Sequence, residues 1–171
     1  MSDLTKPEII ARHRILAFYG VPDSSGNVTY HRMKKFTQFT HSKNPIEYSR
    51  QYVDEPFQQT DVVGFSPSYD YAFDRHRNLA VQTDIVKITN GELIGDDAVR
   101  TIIVVDTSDP SATAYKRDYA VIPSSEGDNI NIYTYSGSFK ARGEKTEVTV
   151  STSDGYQTIT LTNGGEKYSE F

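Results

Sequence analysis

The chain of 171 residues has no cysteine and no tryptophan, and only two methionines. Without cysteine there is no disulfide framework, no thiolate metal site and no cysteine nucleophile, and folding needs no oxidising compartment. Long apolar runs are missing as well. The longest, Ile15 to Val21, holds seven residues, far short of the roughly 20 that span a bilayer. The start, Met1 to Pro7, lacks the charged-then-apolar form of a signal peptide. A soluble protein with no membrane partner is the expectation. Apolar residues make up only 36% of the chain and the mean hydropathy is -0.56.

What is present is hydroxyl: 33 Ser and Thr together, and 12 Tyr. That composition suits strands, turns and wet interfaces better than a helical core. At this length the chain matches one domain able to bury a sizeable core, and 1–171 reads as a single β domain. The net charge of -5 is unevenly spread, +2 over residues 1–60 and -7 over residues 61–171. No Lys/Arg run exceeds two residues apart from Arg32-Met33-Lys34-Lys35, so a DNA-gripping surface is not expected.

Period-two alternation is the main structural signal. Phe65, Pro67, Tyr69, Tyr71 and Phe73 fall on one face of a strand. Tyr133, Tyr135, Gly137, Phe139 and Ala141 begin a second series, continued by Val148, Val150, Ile159 and Leu161. With turn residues at Arg142-Gly143-Glu144 and Ser153-Asp154-Gly155, this predicts an antiparallel meander over about 130–162. Thr101 to Val105 is apolar on both faces and predicts a covered central strand. Tyr115 to Ile122 predicts another strand, ending at Pro123. Ile15 to Tyr19 predicts a strand leading into a turn at Pro22-Asp23, and Glu8 to His13 could be helical. The spacing of Val81, Ile85 and Ile88 predicts one flanking helix over about 78–89, capped by Asn78 and closed by Asn90-Gly91.

Residues 34–61 stand apart, alternating aromatic with charged side chains and lacking internal glycine. Such an extended arm or loop is either a contact surface, with Tyr48, Tyr52 and Phe57 providing area at low entropy cost, or an edge hairpin lying on its own domain.

Chemistry-bearing motifs are absent. The histidines, His13, His31, His41 and His76, have no metal-ligand spacing between them. There is no Gly-x-Ser-x-Gly elbow and no phosphate-cradling glycine run. Gly95-Asp96-Asp97 lacks the spacing of a calcium loop. No catalytic, metal or cofactor-binding residue is expected, and the chain does not read as an enzyme.

The order of several short motifs carries more. These are Lys35-Phe36-Thr37, Lys43-Asn44-Pro45-Ile46-Glu47-Tyr48, Tyr52-Val53-Asp54, Gly64-Phe65-Ser66-Pro67-Ser68 and Phe73-Asp74. Gly95-Asp96-Asp97-Ala98-Val99, Tyr119-Ala120-Val121-Ile122-Pro123 and Tyr135 to Gly143 follow. In this order they resemble the major tail tube proteins of long-tailed bacteriophages infecting Gram-positive hosts. The resemblance covers most of the chain but neither its first 12 nor its last ten residues. It implies a tail-tube-type β-sandwich or small barrel, hexameric rings stacked into a hollow tube, and DNA passing through the lumen without specific binding. It also implies a virion protein made in the host cytoplasm, with the tape measure, tail tip and terminator as partners. On this reading Lys35, Phe36, Asn44, Pro45, Tyr48, Tyr52, Val53 and Asp54 are the subunit-interface candidates, and residues 1–12 and 163–171 are flexible termini. Two alternatives stay open: a tube subunit of a phage-derived secretion or bacteriocin-like device, and a monomeric β-sandwich stacking sugars on Tyr69, Tyr71, Tyr133 or Tyr135.

Overall fold

The computed structural model of the chain describes residues 6–111 and 113–161. The elements among them are β1 (Ile15–Pro22), β2 (Val28–Arg32), β3 (Phe36–Ser42), β4 (Pro45–Arg50), β5 (Gln59–Phe65) and β6 (Ser68–Asp74). Then come α1 (Ala80–Gly91), β7 (Val99–Asp106), β8 (Thr113–Glu126), β9 (Thr134–Ala141), β10 (Thr146–Ser151) and β11 (Thr158–Leu161). The protein is mainly β with one helix, as its composition and alternation indicate. Short 3-10 turns occupy Arg12–Arg14 and Gly95–Ala98, so the stretch from Glu8 forms no α-helix. The chain end from 162 lies outside the described residues.

The chain divides into two compact units, with β8 contributing residues 113–117 to one and 118–126 to the other. In the first unit, β1 pairs with β2 and β7, β2 with β11, β11 with β10, and β10 with the start of β8. Because β7 also neighbours β8, this ring of pairings closes and leaves no free edge within it. Its interior is the cluster of Phe18, Ile103, Val105, Ala114, Val148, Val150 and Ile159. Val148 and Val150, and Phe18 opposite Ile103, reach it because side chains two apart on a strand share a face. Ile102 and Tyr19 alternate with these residues and are also buried, which explains why the Thr101–Val105 run is apolar throughout.

The second unit holds the antiparallel sheet β3–β6–β9–β8, the helix and the β4–β5 hairpin. One face of its sheet is aromatic. Tyr69, Tyr71, Phe73, Tyr135 and Phe139 are buried there, with Tyr71 stacked on Phe139 at 4.5 Å and Phe39 on Tyr69 at 4.2 Å between ring centres. The opposite face is small and hydroxylic, carrying Thr40, Asp70, Ser136 and Ser138.

Helix α1 buries Val81, Ile85 and Ile88 as their spacing predicts, each worth about 1.5–3 kcal/mol of apolar burial. Its ends differ from the expectation. Asn78 has a positive φ of 66°, so Leu79 occupies the N-cap without a side-chain bond. At the other end Gly91 is still helical, and Glu92, not the glycine, takes the left-handed closing position. Within the helix Asp84 is buried against Arg100, whose Nε donates to the carboxylate at 2.8 Å.

Three strand expectations are corrected. The Phe65–Phe73 series is two strands: Ser66-Pro67 interrupts the ladder, Phe65 is exposed at the end of β5, and β6 begins at Ser68. Pro123 does not end β8. The strand continues to Glu126 through a register shift between Pro123 and Ser125, a bulge that accommodates a residue with no N–H to donate. Nor do residues 130–162 form one meander. β9 pairs with β6 and with β8 residues 119–126, while β10 pairs with β8 residues 113–116 and with β11. Arg142-Gly143-Glu144 is therefore a link between successive partners of one long strand and not a hairpin turn.

Candidate assembly surface

The interface candidates fall on three structural settings. Lys35 is exposed in a left-handed turn (φ 64°) ahead of β3, and its carbonyl accepts the Asp74 amide. Phe36 is half-buried and packs on Phe73, with ring centres 5.0 Å apart. It is therefore part of the sheet of its own unit. The other six lie from Asn44 onward, at the root, strand and tip of the β4–β5 hairpin. The odd stretch at 34–61 thus contains an ordinary edge strand, β3, and the first part of a hairpin that runs on to Phe65.

Asn44 sets the root. Its φ of 46° turns the chain out of β3. Its carbonyl accepts the Ser66 amide at 3.0 Å and its side-chain amide donates to the Ser66 carbonyl at 3.0 Å. Asparagine tolerates this left-handed conformation better than most side chains. The pairing clamps the two ends of the hairpin side by side.

From this root β4 and β5 pair only with each other. Register runs from Pro45 opposite Phe65 to Arg50 opposite Gln59, with a shift after Ile46 that leaves Val63 without an opposite residue. Ser49 and Thr60 hydrogen-bond across the strands at 3.0 Å, and Arg50 donates to the Tyr48 hydroxyl at 2.5 Å. At the tip the Glu55 amide bonds to the Tyr52 carbonyl at 3.1 Å, and Gln59 Nε2 donates to the Glu55 carboxylate at 2.7 Å. The tip is ordered by its own bonds.

No side chain of β4 is buried. Ile46, Tyr48, Tyr52, Val53, Phe57, Val62, Val63 and Phe65 are all exposed large hydrophobic residues on this one hairpin. A two-stranded ribbon presenting apolar side chains to water is unfavourable in a monomer and is the usual mark of an interaction surface.

A second apolar cluster was not singled out from the sequence. Ile130, Ile132 and Tyr133, between β8 and β9, are exposed. The strict alternation of Asn129-Ile130-Asn131-Ile132 hid it inside what read as a strand. Gln82 was also missed. It is fully buried on α1, where its side chain accepts from the His76 amide at 2.7 Å and donates to the Lys34 and Asp74 carbonyls at 3.2 and 3.1 Å. A polar residue three positions before Ile85, on the apolar stripe, was the available signal.

For the sugar-binding alternative the rings are poorly available: Tyr69, Tyr71 and Tyr135 are buried, and only Tyr133 is exposed. Burial holds the Tyr71 hydroxyl well above its ordinary pKa, and the Tyr133 hydroxyl is raised by its hydrogen bond to Glu126 at 2.7 Å. A shallow groove of about 370 Å³ on the hydroxylic face is lined by Thr37, Asp74, Asp128, Thr134 and Ser136. Among the described residues there is no grouping of three or more His, Asp or Glu that could hold a metal ion, and no helix long and apolar enough to cross a membrane.

No family model and no curated protein matches the chain. Among solved structures it is similar to a chain of the anti-feeding prophage baseplate, determined by cryo-electron microscopy with six-fold symmetry applied. The likeness has a TM-score of 0.50 at 9% identity and covers 87% of this chain and 98% of that one. At that identity it is a likeness of fold.

Proposed function

We propose that the protein is a self-assembling structural subunit of a phage tail, forming hexameric rings that stack into a hollow tube through which DNA passes at ejection. The observation that carries this reading is the β4–β5 hairpin, whose eight large apolar side chains stay half-exposed to fully exposed in the monomer. Self-association covers such a surface and shields its unpaired strand edges. The fold likeness to a protein of a phage-derived baseplate supports the same class of assembly. The hydroxylic face around Asp70, Ser136 and Ser138 suits a lumen wall that a polyanion slides past, since in the β6–β9 register it carries the Asp70 carboxylate and a lone cation, Lys140. The role is mechanical, with no catalysis, cofactor or metal.

A second reading, a tube or baseplate subunit of a phage-derived device, is favoured by the same neighbour, which comes from an anti-feeding prophage.

The test replaces residues 45–65 by a short Gly-Ser turn. Asn44 and Ser66 are already hydrogen-bonded to each other, so the cut closes without strain. Negative-stain microscopy of concentrated wild type should show rings or tubes, and the shortened chain should stay folded and monomeric. Tubes from the shortened chain, or a wild type monomeric at every concentration, would sink the proposal.

A further inference from the structure

The hairpin leaves the second unit's sheet at the Ser42/Ser68 end of β3 and β6. At the opposite end of those two strands, about 20 Å away at the usual strand rise, the chain builds a corner of different character. There Lys35 and Arg77 are exposed, with Arg75 partly so. Three bonds of the buried Gln82 side chain, to the Lys34 carbonyl, the Asp74 carbonyl and the His76 amide, hold the two basic segments side by side. The Arg75 amide donates to the Tyr133 carbonyl at 2.9 Å, which brings exposed Ile130, Ile132 and Tyr133 to the same corner.

The hairpin tip is the complement of this corner. Val53 and Phe57 are exposed apolar side chains, and Asp54 and Glu55 lie between them. The corner also carries Asp74, Asp128 and Glu126, the last taken up by the Tyr133 hydroxyl; apolar area faces apolar area, and Asp54 and Glu55 face Lys35, Arg75 and Arg77. The two surfaces differ and sit at opposite ends of one sheet, so a contact between them is head-to-tail and repeats from copy to copy.

Resting on the self-assembly reading above, we propose that the receptor for the hairpin tip is this corner on a second copy of the chain. Val53 and Phe57 seat against Ile130 and Ile132, while Asp54 and Glu55 face Lys35 and Arg77. The burial of Gln82, a polar residue on a helix stripe otherwise apolar at Val81, Ile85 and Ile88, then has a purpose beyond the core: it fixes the spacing of the cations.

The absence of cysteine makes the test direct. Single variants Val53→Cys and Ile130→Cys are mixed under mild oxidation, and disulfide-linked dimers are counted on non-reducing gels. A disulfide needs Cα atoms within about 7 Å, so only neighbouring positions link. The mixture should give at least five times more dimer than either variant alone, or than Val53→Cys mixed with Ser153→Cys. Dimer from Val53→Cys alone at the same level, which signals a two-fold contact, or no excess in the mixture, overturns the inference. Wild-type microscopy separates the two claims. Tubes without the mixed dimer leave the tube reading standing and remove this receptor, and the mixed dimer without tubes does the reverse.

Discussion

Gly137 lies directly across the β6–β9 ladder from Tyr71, and the tyrosine ring fills the space a side chain would take. A Cβ at 137 would lie 2.7 Å from the Tyr71 hydroxyl oxygen and closer still to the Ile122 carbonyl oxygen on β8. The ring can adjust, but the backbone oxygen cannot. Gly137→Ala should therefore destabilise the protein by about 3 kcal/mol, the upper end of an overpacking cost, seen as a lower midpoint in urea unfolding. Ser138→Ala, next along β9 on the hydroxylic face, should leave the midpoint within about 0.5 kcal/mol.

The Asp84–Arg100 pair predicts a sharper asymmetry. The side chains are only 6% and 12% exposed, and Arg100 also donates to the Asp97 and Val99 carbonyls at 3.1 and 2.8 Å. Asp84→Ala leaves a guanidinium shut away from water with no counter-charge, at a cost of about 3–5 kcal/mol. The double variant Asp84→Leu with Arg100→Met should recover most of that stability, because neither charge then remains to be desolvated. Thermal unfolding of the wild type and these variants reads the difference.

How far such features can be read from sequence depends on whether they are local. The apolar period at Val81, Ile85 and Ile88 sets α1, and the alternation in Tyr69–Phe73 and Tyr135–Phe139 sets two neighbouring strands. Pairing between distant strands has no such signature. Nothing in Arg142-Gly143-Glu144 says whether β10 turns back on β9 or passes on to β8, because both outcomes need the same turn residues. The hairpin was visible as an exposed aromatic stretch, but its end at Phe65 was not. Phe65 continues the period of Tyr69 and Phe73, and the break depends on Pro67 and on the Asn44–Ser66 clamp. The basic corner was least legible of all, since it is assembled from three segments joined by Gln82 and two backbone bonds.

The turn between β10 and β11 carries a strongly shifted carboxylate with a plain local cause. Asp154 accepts from the Thr158 amide at 3.0 Å, the Thr158 hydroxyl at 2.7 Å and the Gln157 amide at 3.1 Å. These bonds lower its pKa to about 2, from an ordinary 3.8. A carboxylate depressed on folding contributes stability above its unfolded pKa and loses it as pH falls through the folded one. The turn should thus be intact at pH 5 and loosen between about pH 4 and pH 2. Amide exchange of Gln157 and Thr158, followed by NMR, should speed up in that window, with core amides of β7 less affected. Asp154→Asn should show the faster exchange already at pH 6.

Gln82 offers the last separation, between holding the fold and holding the corner. Its side chain satisfies one amide and two carbonyls that α1 encloses. Gln82→Leu keeps the volume and adds apolar area, but it strands those groups, each at about 1–3 kcal/mol unless water enters. Stability should fall by at least about 2 kcal/mol, near the sum of two such losses at the low end. Gln82→Glu keeps the acceptor for the His76 amide and removes the donors to Lys34 and Asp74. It therefore removes the side-chain tie between the Lys34 and Asp74 carbonyls, leaving the Asp74 amide's bond to the Lys35 carbonyl and one bond to the loop before α1. That variant should still fold at 20 °C, and its Asp74 amide, which donates to the Lys35 carbonyl at 3.4 Å, should exchange at least tenfold faster than in the wild type. If the Asp74 amide stays protected, the β3–β6 pairing alone holds the corner, and Gln82 serves only the core.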